Sequence, residues 1–436
     1  MNRRTLLELF GAAGAVAALS ACGSTSTPDE RRFANQPTPT ASSESGVTPT
    51  RVPVRDTVTS APAISRAALM QVRGAITRIV LLDASECWSI RADGSDVVRF
   101  GPGSKQTFTE VAATPDGTSI ATIASAGGGG EIVTILDKNG LTIRRVPIPA
   151  PKKAQATILT GAGRLAWNAA GDQVLYAKQG GGIDSAGKTG EPTPMVVASQ
   201  AAVPERVVWS PAADAVAFVS RKSAGASDGL YVGATSSRPV DAAELVKPSA
   251  EPRSISQMAW LQDGRRILFT QGAQNANDGL SGDIFEVMAS GASAKLLISA
   301  GLAAPVSAVG LFAVSPGEEA IAFTVWVPNG TAADFHSLWI KPLATGPAVR
   351  IEASVKVAVT GLWWTDTGLV WREQVGTLNP KKTDGAFELR RLTLDGKGAQ
   401  VFASAPARPA TPVASPATGS PAASPVASPA ASPTKS

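Results

Sequence analysis

Gln257-Met258-Ala259-Trp260-Leu261-Gln262-Asp263-Gly264-Arg265-Arg266-Ile267-Leu268-Phe269-Thr270-Gln271 reads as a β-hairpin. An apolar segment ends at Trp260, a polar tetrad with Asp263-Gly264 makes the turn, and Ile267-Leu268-Phe269 is the return strand. Asp-Gly between two apolar strands marks a hairpin because glycine takes positive φ without steric cost.

The same pattern recurs along the chain. Val207-Val208-Trp209-Ser210-Pro211 leads into Val216-Ala217-Phe218, and Leu165-Ala166-Trp167 leads through Gly171-Asp172 into Val174-Leu175-Tyr176. Ala113-Thr114-Pro115-Asp116-Gly117 leads into Ile120, Val314-Ser315-Pro316-Gly317 into Ile321, and Trp364-Thr365-Asp366-Thr367-Gly368 into Leu369. With the tryptophan position as the mark, the copies stand at 113, 167, 209, 260, 314 and 364, which is 54, 42, 51, 54 and 50 residues apart. The next strand begins seven residues after the mark in five copies, and two residues sooner in the last. A fixed internal offset with a period of roughly 40–50 residues is the pattern of a β-propeller blade.

A second hairpin follows each first one. Cys87-Trp88-Ser89-Ile90 turns at Asp93-Gly94, Ile132-Val133-Thr134-Ile135 at Asn139-Gly140, and Phe387-Glu388-Leu389-Arg390 at Asp395-Gly396. Leu230-Tyr231-Val232, Asp283-Ile284-Phe285-Glu286 and Ser337-Leu338-Trp339-Ile340 open the others. Two hairpins make four strands per unit. The chain resembles the TolB-like (WD-repeat-like) propellers, whose blades carry a Trp-Ser-Pro-Asp-Gly turn and an Asp-Ile-Tyr-Val third strand. The likeness covers about residues 76–403, although Trp209-Ser210-Pro211 lacks the Asp-Gly and Trp260 lacks the proline. It implies an all-β propeller of four-stranded blades, a fold shared by many binding proteins and enzyme accessory domains. Trp167, Trp209, Trp260, Trp364, Asp116, Gly117, Asp263 and Gly264 are the expected structural repeat residues. The tryptophans, Trp363 included, are expected in blade-to-blade core rather than in a ligand cage. The unit at 76–100 has no tryptophan-type turn. Counting it gives seven blades, and its missing outer strand is expected from residues near 55–70 or from the far end of the chain. If it completes another blade, there are six.

The chain has 436 residues, 44% hydrophobic and 17% charged, with 42 glycines and 32 prolines. That composition fits a turn-rich all-β core with low-complexity ends. A net charge of +5 is dispersed in pairs such as Arg144-Arg145, Lys152-Lys153 and Lys381-Lys382, without interleaved base-stacking aromatics. No nucleic-acid partner is expected.

Residues 1–21 read as a signal peptide, with Arg3-Arg4 followed by an apolar run from Leu6 to Leu19 too short to span a bilayer as a mature helix. Leu19-Ser20-Ala21-Cys22 resembles a bacterial lipobox, which implies cleavage before Cys22 and lipidation of its sulfur. The alternative is an ordinary secretory signal with an accidental cysteine. Arg3-Arg4-Thr5-Leu6-Leu7 also resembles a twin-arginine export signal, and general secretion stands beside it. The only other cysteine is Cys87, expected as a buried core thiol beside Trp88. Residues 22–70 read as a disordered tether, 71–403 as the propeller, and 404–436 as a disordered Ala/Ser/Pro-rich tail in which Ala-Ser-Pro recurs.

Catalytic and metal motifs are mostly excluded. His336 is the only histidine, so a multi-histidine zinc site is ruled out by count, and it is expected in a loop. Gly225-Ala226-Ser227-Asp228-Gly229 matches a nucleophile elbow but joins two strands with no helix after it. Gly127–Gly130 and Gly180–Gly182 lack the Gly-Lys-Ser/Thr ending of a phosphate loop and read as long blade loops. Oxygen ligands between Asn275 and Asp283 have a spacing suggestive of calcium, without the terminal glutamate; a plain loop is the simpler reading.

The functional expectation is a monomeric, lipid-anchored, extracytoplasmic propeller at the cell membrane. It would serve as a binding or scaffold module for a protein or cell-envelope partner, with no catalytic residues, cofactor or metal. The alternative is a propeller enzyme, a hydrolase or lyase on glycan using channel carboxylates, which needs no histidine. A structural envelope protein without a soluble ligand is the third reading. Asp and Glu clustered at one channel mouth with shifted pKa values would favour the enzyme.

Overall fold

The computed structural model describes residues 76–405 apart from 84–85, 102–106, 151–162, 180, 197–202, 222–227, 236–241, 247–252, 274–281, 300–307, 328–334, 344–345, 355–357, 375–385 and 393–398. All strands are antiparallel to their sheet neighbours. Blade one contains β1 (Arg78–Asp83), β2 (Glu86–Arg91) and β3 (Val98–Phe100); blade two contains β4 (Phe108–Ala113), β5 (Ser119–Ser125), β6 (Glu131–Asp137) and β7 (Thr142–Ile148). Blade three is β8 (Leu165–Trp167), β9 (Gln173–Ala177), β10 (Ile183–Gly187) and β11 (Thr193–Val196), and blade four β12 (Val203–Trp209), β13 (Ala215–Arg221), β14 (Asp228–Ala234) and β15 (Ala243–Val246). Blade five is β16 (Arg253–Trp260), β17 (Arg266–Ala273), β18 (Asp283–Met288) and β19 (Lys295–Ile298), and blade six β20 (Ala308–Val314), β21 (Ala320–Val327), β22 (Phe335–Pro342) and β23 (Val349–Ser354). Blade seven is β24 (Ala358–Thr365), β25 (Gly368–Gln374), β26 (Phe387–Leu392) and β27 (Ala399–Ala405). Each four-stranded blade is a meander in chain order.

Each sheet would leave both faces exposed alone. The ring solves this by packing every blade between two others. Seven apolar clusters occupy the seven junctions, each drawing side chains from two neighbouring blades. The cluster of Ile79, Leu81, Trp88 and Ile90 with Val370, Phe387 and Leu389 joins blade one to blade seven and closes the circle. Seven blades are therefore settled over six.

Trp209, Trp260 and Trp364 end or nearly end the first strands β12, β16 and β24, Trp167 ends β8, and Ala113 and Val314 end β4 and β20. Asp263 accepts amide hydrogen bonds from Arg265 (2.8 Å) and Arg266 (3.1 Å), and Asp116 accepts one from Thr118 (3.0 Å). Both glycines of these turns, Gly117 and Gly264, have left-handed φ, 67° and 63°.

Five of the six described first strands, β8 excepted, share a feature with no residue signature. Pairing with the second strand slips at residue 109, 205, 256–257, 310–311 and 360, so each bulge includes the position four residues before the mark. In blades five and six a threonine of the second strand fills the gap: Thr270 Oγ1 accepts from the Gln257 amide at 3.0 Å, and Thr324 Oγ1 from the Leu311 amide at 2.9 Å.

Two expectations are corrected. The described strands of blade one correspond to the second, third and fourth strands of the others. β2 turns at Asp93-Gly94 just as β6 turns at Asn139-Gly140, with Gly94 N bonded to Arg91 O (2.8 Å) and Gly140 N to Asp137 O (3.0 Å). Among the described residues the position without a strand is thus the innermost one, not an outer one, and blade seven is complete from its own residues. His336 is the second residue of β22, paired with Trp326 and Ser354, rather than a loop residue. The strand extends there because β21 runs on to Val327 and its backbone pairs with His336 and Phe335.

Candidate functional site: the loop end of the ring

The turns from first to second and from third to fourth strands lie at one end of each blade. The opposite end gathers the starts of first and third strands and the ends of second strands. There the ring carries an unusual density of buried polar groups, among them Asp83, Glu110, Glu131, Arg164, Arg372 and Glu373.

The blade two–three junction shows what they do. Glu131 opens β6 and Arg164 directly precedes β8. The guanidinium meets the carboxylate two-pronged, Nη1 to Oε1 at 2.9 Å and Nη2 to Oε2 at 2.6 Å, with the side chains 2% and 5% exposed. Arg164 Nη2 also donates to Ala177 O at 2.9 Å. Fork geometry and a third acceptor make a buried pair tenable. Beside it Glu110 Oε1 accepts the backbone N–H of Gly163 (2.6 Å) and of Leu165 (3.1 Å). Burial pushes the Glu110 carboxyl up to about 7, against the downward pull of these amides and of the Arg164 charge.

Related straps cross other junctions. Glu110 stands three residues before its mark, and so does Gln257, whose amide bonds both ways to Phe312 of the next blade, Nε2 to O at 2.6 Å and Oε1 from N at 2.9 Å. Asp228 Oδ2 accepts Ile255 N at 2.8 Å from blade five, and Val207 N donates to Gly163 O at 2.7 Å. At the seam Arg372 donates to Leu82 O (2.9 Å) and Asp83 Oδ1 (3.0 Å), and its guanidinium lies over the Phe387 ring at 4.5 Å. Burial lowers the Arg372 pKa, and the Asp83 charge opposes that shift. Thr367 Oγ1 donates to Ala92 O (3.1 Å) and Asp366 N to Ile76 O (3.0 Å) at the turn end of the same seam.

The tryptophans belong to the same system. Trp167 Nε1 donates to Ala112 O (3.2 Å) and Trp364 Nε1 to Ala313 O (3.0 Å), in each case the residue before the previous blade's mark. Trp209 and Trp364 are buried, and Trp167, Trp260 and Trp363 pack partly buried against the junction clusters. All five lie in or against the apolar junction clusters.

Chemically, these groups hold strands at fixed spacing. Glu373 accepts Trp371 Nε1 (2.8 Å) and pairs with Arg390 (3.1 Å), and Lys178 pairs with Asp184 (2.7 Å). Among the described residues no group of three or more His, Cys, Asp or Glu could hold a metal ion.

Of the other candidates, Cys22 and Ser227 lie outside the described residues, as do Asn275 and its neighbours up to residue 281. Asp228 begins a strand, and so does Asp283. The Gly127–Gly129 tract is a single 3-10 turn, and Lys178 N bonds to Gly182 O at 3.1 Å, so both connections are tight turns rather than long loops. Cys87 is wholly buried between blades one and two, which pushes its thiol far above the ordinary range. Sequence reading missed the straps because their types vary from blade to blade. The recoverable signal was positional, three residues before a mark.

No family model and no curated protein matches this chain. Solved structures overlap with it. One comes from work on two prolyl endopeptidases (10% identity, TM-score 0.48, covering 77% of this chain and 51% of that one), so this chain spans about half the length of that enzyme. Another belongs to a mitotic checkpoint complex (13% identity, TM-score 0.47, 70% of this chain and 85% of that one). A third bears the name TolB and comes from Agrobacterium tumefaciens (13% identity, TM-score 0.40, 63% of this chain and 90% of that one). At these identities the likeness concerns architecture alone.

Proposed function

We propose that this chain is a lipid-anchored, extracytoplasmic β-propeller that binds or scaffolds a protein or cell-envelope partner. The observation that carries the non-catalytic reading is the engagement of the loop-end carboxylates. Asp83, Glu110, Glu131 and Asp228 each spend oxygens on a guanidinium or backbone N–H of a neighbouring blade. A glycan hydrolase or lyase needs two carboxyls facing a substrate rather than a strand. Glu110 has the raised pKa a general acid wants, yet one of its oxygens is already held by two amides. A rigid ring that presents its strand connections at one end suits recognition instead. The anchor is read from Leu19-Ser20-Ala21-Cys22.

The test has two arms. Metabolic labelling with a fatty acid should mark the wild-type protein and not Cys22→Ser; equal labelling, or none in either, removes the anchor. The purified protein should leave cell-wall glycan intact while cross-linking in intact membranes to a discrete partner. Release of sugar fragments that Glu110→Gln abolishes would move the chain to the enzyme class.

A further inference from the structure

Among the described residues the large apolar side chains left exposed are Leu141 (68%), Val97 (47%), Ile143 (43%) and Val401 (42%). They are not scattered. Val97 and Leu141 stand beside the third-to-fourth-strand turns of blades one and two, Ile143 is in β7, and Val401 is in β27 of blade seven. These three blades are consecutive around the ring.

Their corners touch. A Cβ on Gly94 would lie 3.0 Å from the Phe402 ring, and one on Gly140 would lie 2.7 Å from the Phe100 ring, so each turn glycine seats on an aromatic of the preceding blade. Lys138 and Asp96 meet across the blade one–two corner at 3.9 Å. The described turns at the same place in blades three and five are polar or small: Lys188, Thr189 and Glu191, and Ser290, Gly291 and Ser293. In blade six Leu343 packs against the blade five–six cluster. Among the described residues the exposed apolar side chains thus gather on one outer corner.

Cations surround that corner. Arg91, Arg99, Lys138 and Arg145 are exposed there, against exposed Asp93 and Asp96. Arg91 and Lys138 are offset by Asp93 (3.5 Å) and Asp96 (3.9 Å). Arg99 lies over the Trp88 ring at 4.8 Å, and neither Arg99 nor Arg145 has a carboxylate partner among the described residues. Exposed aliphatic side chains set among surplus cations complement an anionic lipid surface. Apolar side chains enter the headgroup boundary, and cations beside it are drawn to anionic lipid.

We propose that the outer corner of blades seven, one and two rests on the surface of an anionic phospholipid bilayer. This orients the molecule, because the chain enters the ring at blade one and the proposed lipid lies N-terminal to it. The inference rests on the anchored reading for where the bilayer is, and its test runs without the anchor.

The test uses the full chain carrying Cys22→Ser, in which buried Cys87 resists labelling. Leu141→Cys, or Ser290→Cys on the opposite side as control, is coupled to an environment-sensitive fluorophore such as acrylodan. Vesicles of phosphatidylcholine with phosphatidylglycerol should shift emission at 141 to the blue, pure phosphatidylcholine less so, and the 290 probe not at all. Val97→Ser with Ile143→Ser should reduce the shift at 141 several-fold without lowering the melting temperature. No shift at 141 overturns the proposal, as does an equal shift at both sites. A 141 shift that appears without vesicles as protein concentration rises also overturns it, in favour of a second copy of the chain. A silent 141 probe with wild-type fatty-acid labelling intact defeats this inference and leaves the anchor standing; loss of labelling with a responsive probe does the reverse.

Discussion

Gly117 and Gly264 occupy the same turn position in blades two and five, with nearly equal φ, but their surroundings differ. A Cβ at 117 runs into Arg78 Cβ of blade one, whereas a Cβ at 264 meets nothing within 4 Å. Gly264→Ala should therefore cost only the backbone term, about 1 kcal/mol, and Gly117→Ala at least twice that, because the seat of blade one must shift. Denaturant melts of both decide it; equal losses would mean that the turn does not bear on its neighbour. Glu110 gives a pH signature. Its folded pKa of about 7 lies above an unfolded value of about 4.3, so its contribution is fully present below the unfolded pKa. That contribution is lost as pH rises toward the folded pKa. Between pH 4 and 7 Glu110 should cost on the order of 3 kcal/mol of stability, and Glu110→Gln, which keeps the acceptor, should flatten that part of the profile. A wild-type slope that persists in the variant would place the titration elsewhere.

At the scale of the element, the hairpins were legible and the junctions were not. Asp263-Gly264 and Trp260 announce a turn and a strand end through local φ preference and apolar alternation, and the structure puts β16 and β17 there. The straps from Glu110 and Gln257 reach partners 53–55 residues away, so no local pattern could reveal them. The bulges are silent for another reason. The residue four before the mark is Thr109, Glu205, Ser256, Gly310 or Thr360, so backbone register rather than side-chain type is repeated. His336 and the inner-strand gap were misread because strand ends and strand order follow from pairing, which one sequence does not display. Trp209 tests the element directly. Its ring is 8% exposed in the blade three–four cluster, and Trp209→Ala should cost about 3–5 kcal/mol. Its Nε1 has no hydrogen-bond partner among the described residues, so Trp209→Phe should cost far less than Trp364→Phe, which loses the bond to Ala313. Thermal melts in which the two phenylalanine variants behave alike would remove that distinction.

The whole molecule depends on circularity, because each blade is core only while both neighbours are present. β1 pairs with β2 and has no other strand partner among the described residues, so the inner edge of blade one is the weak point of the circle. A chain beginning at residue 55 and ending at 405 is expected to melt cooperatively near the full-length temperature. One beginning at residue 77 loses the Ile76 contact to blade seven and is expected to aggregate. A soluble, cooperative protein starting at 77 would show that closure needs nothing before β1. The central claim is that the loop-end charges hold the ring rather than perform chemistry, and a double-mutant cycle on Glu131 and Arg164 tests it most directly. Groups kept for stability lose it when one partner goes, whereas groups kept for catalysis tend to cost stability while present. Glu131→Gln and Arg164→Met should each destabilise by about 3–5 kcal/mol, and the double variant should lose much less than their sum, a coupling well above 1 kcal/mol. Single variants as stable as wild type or more so, with coupling near zero, would contradict the account and return the loop end to the search for an active site.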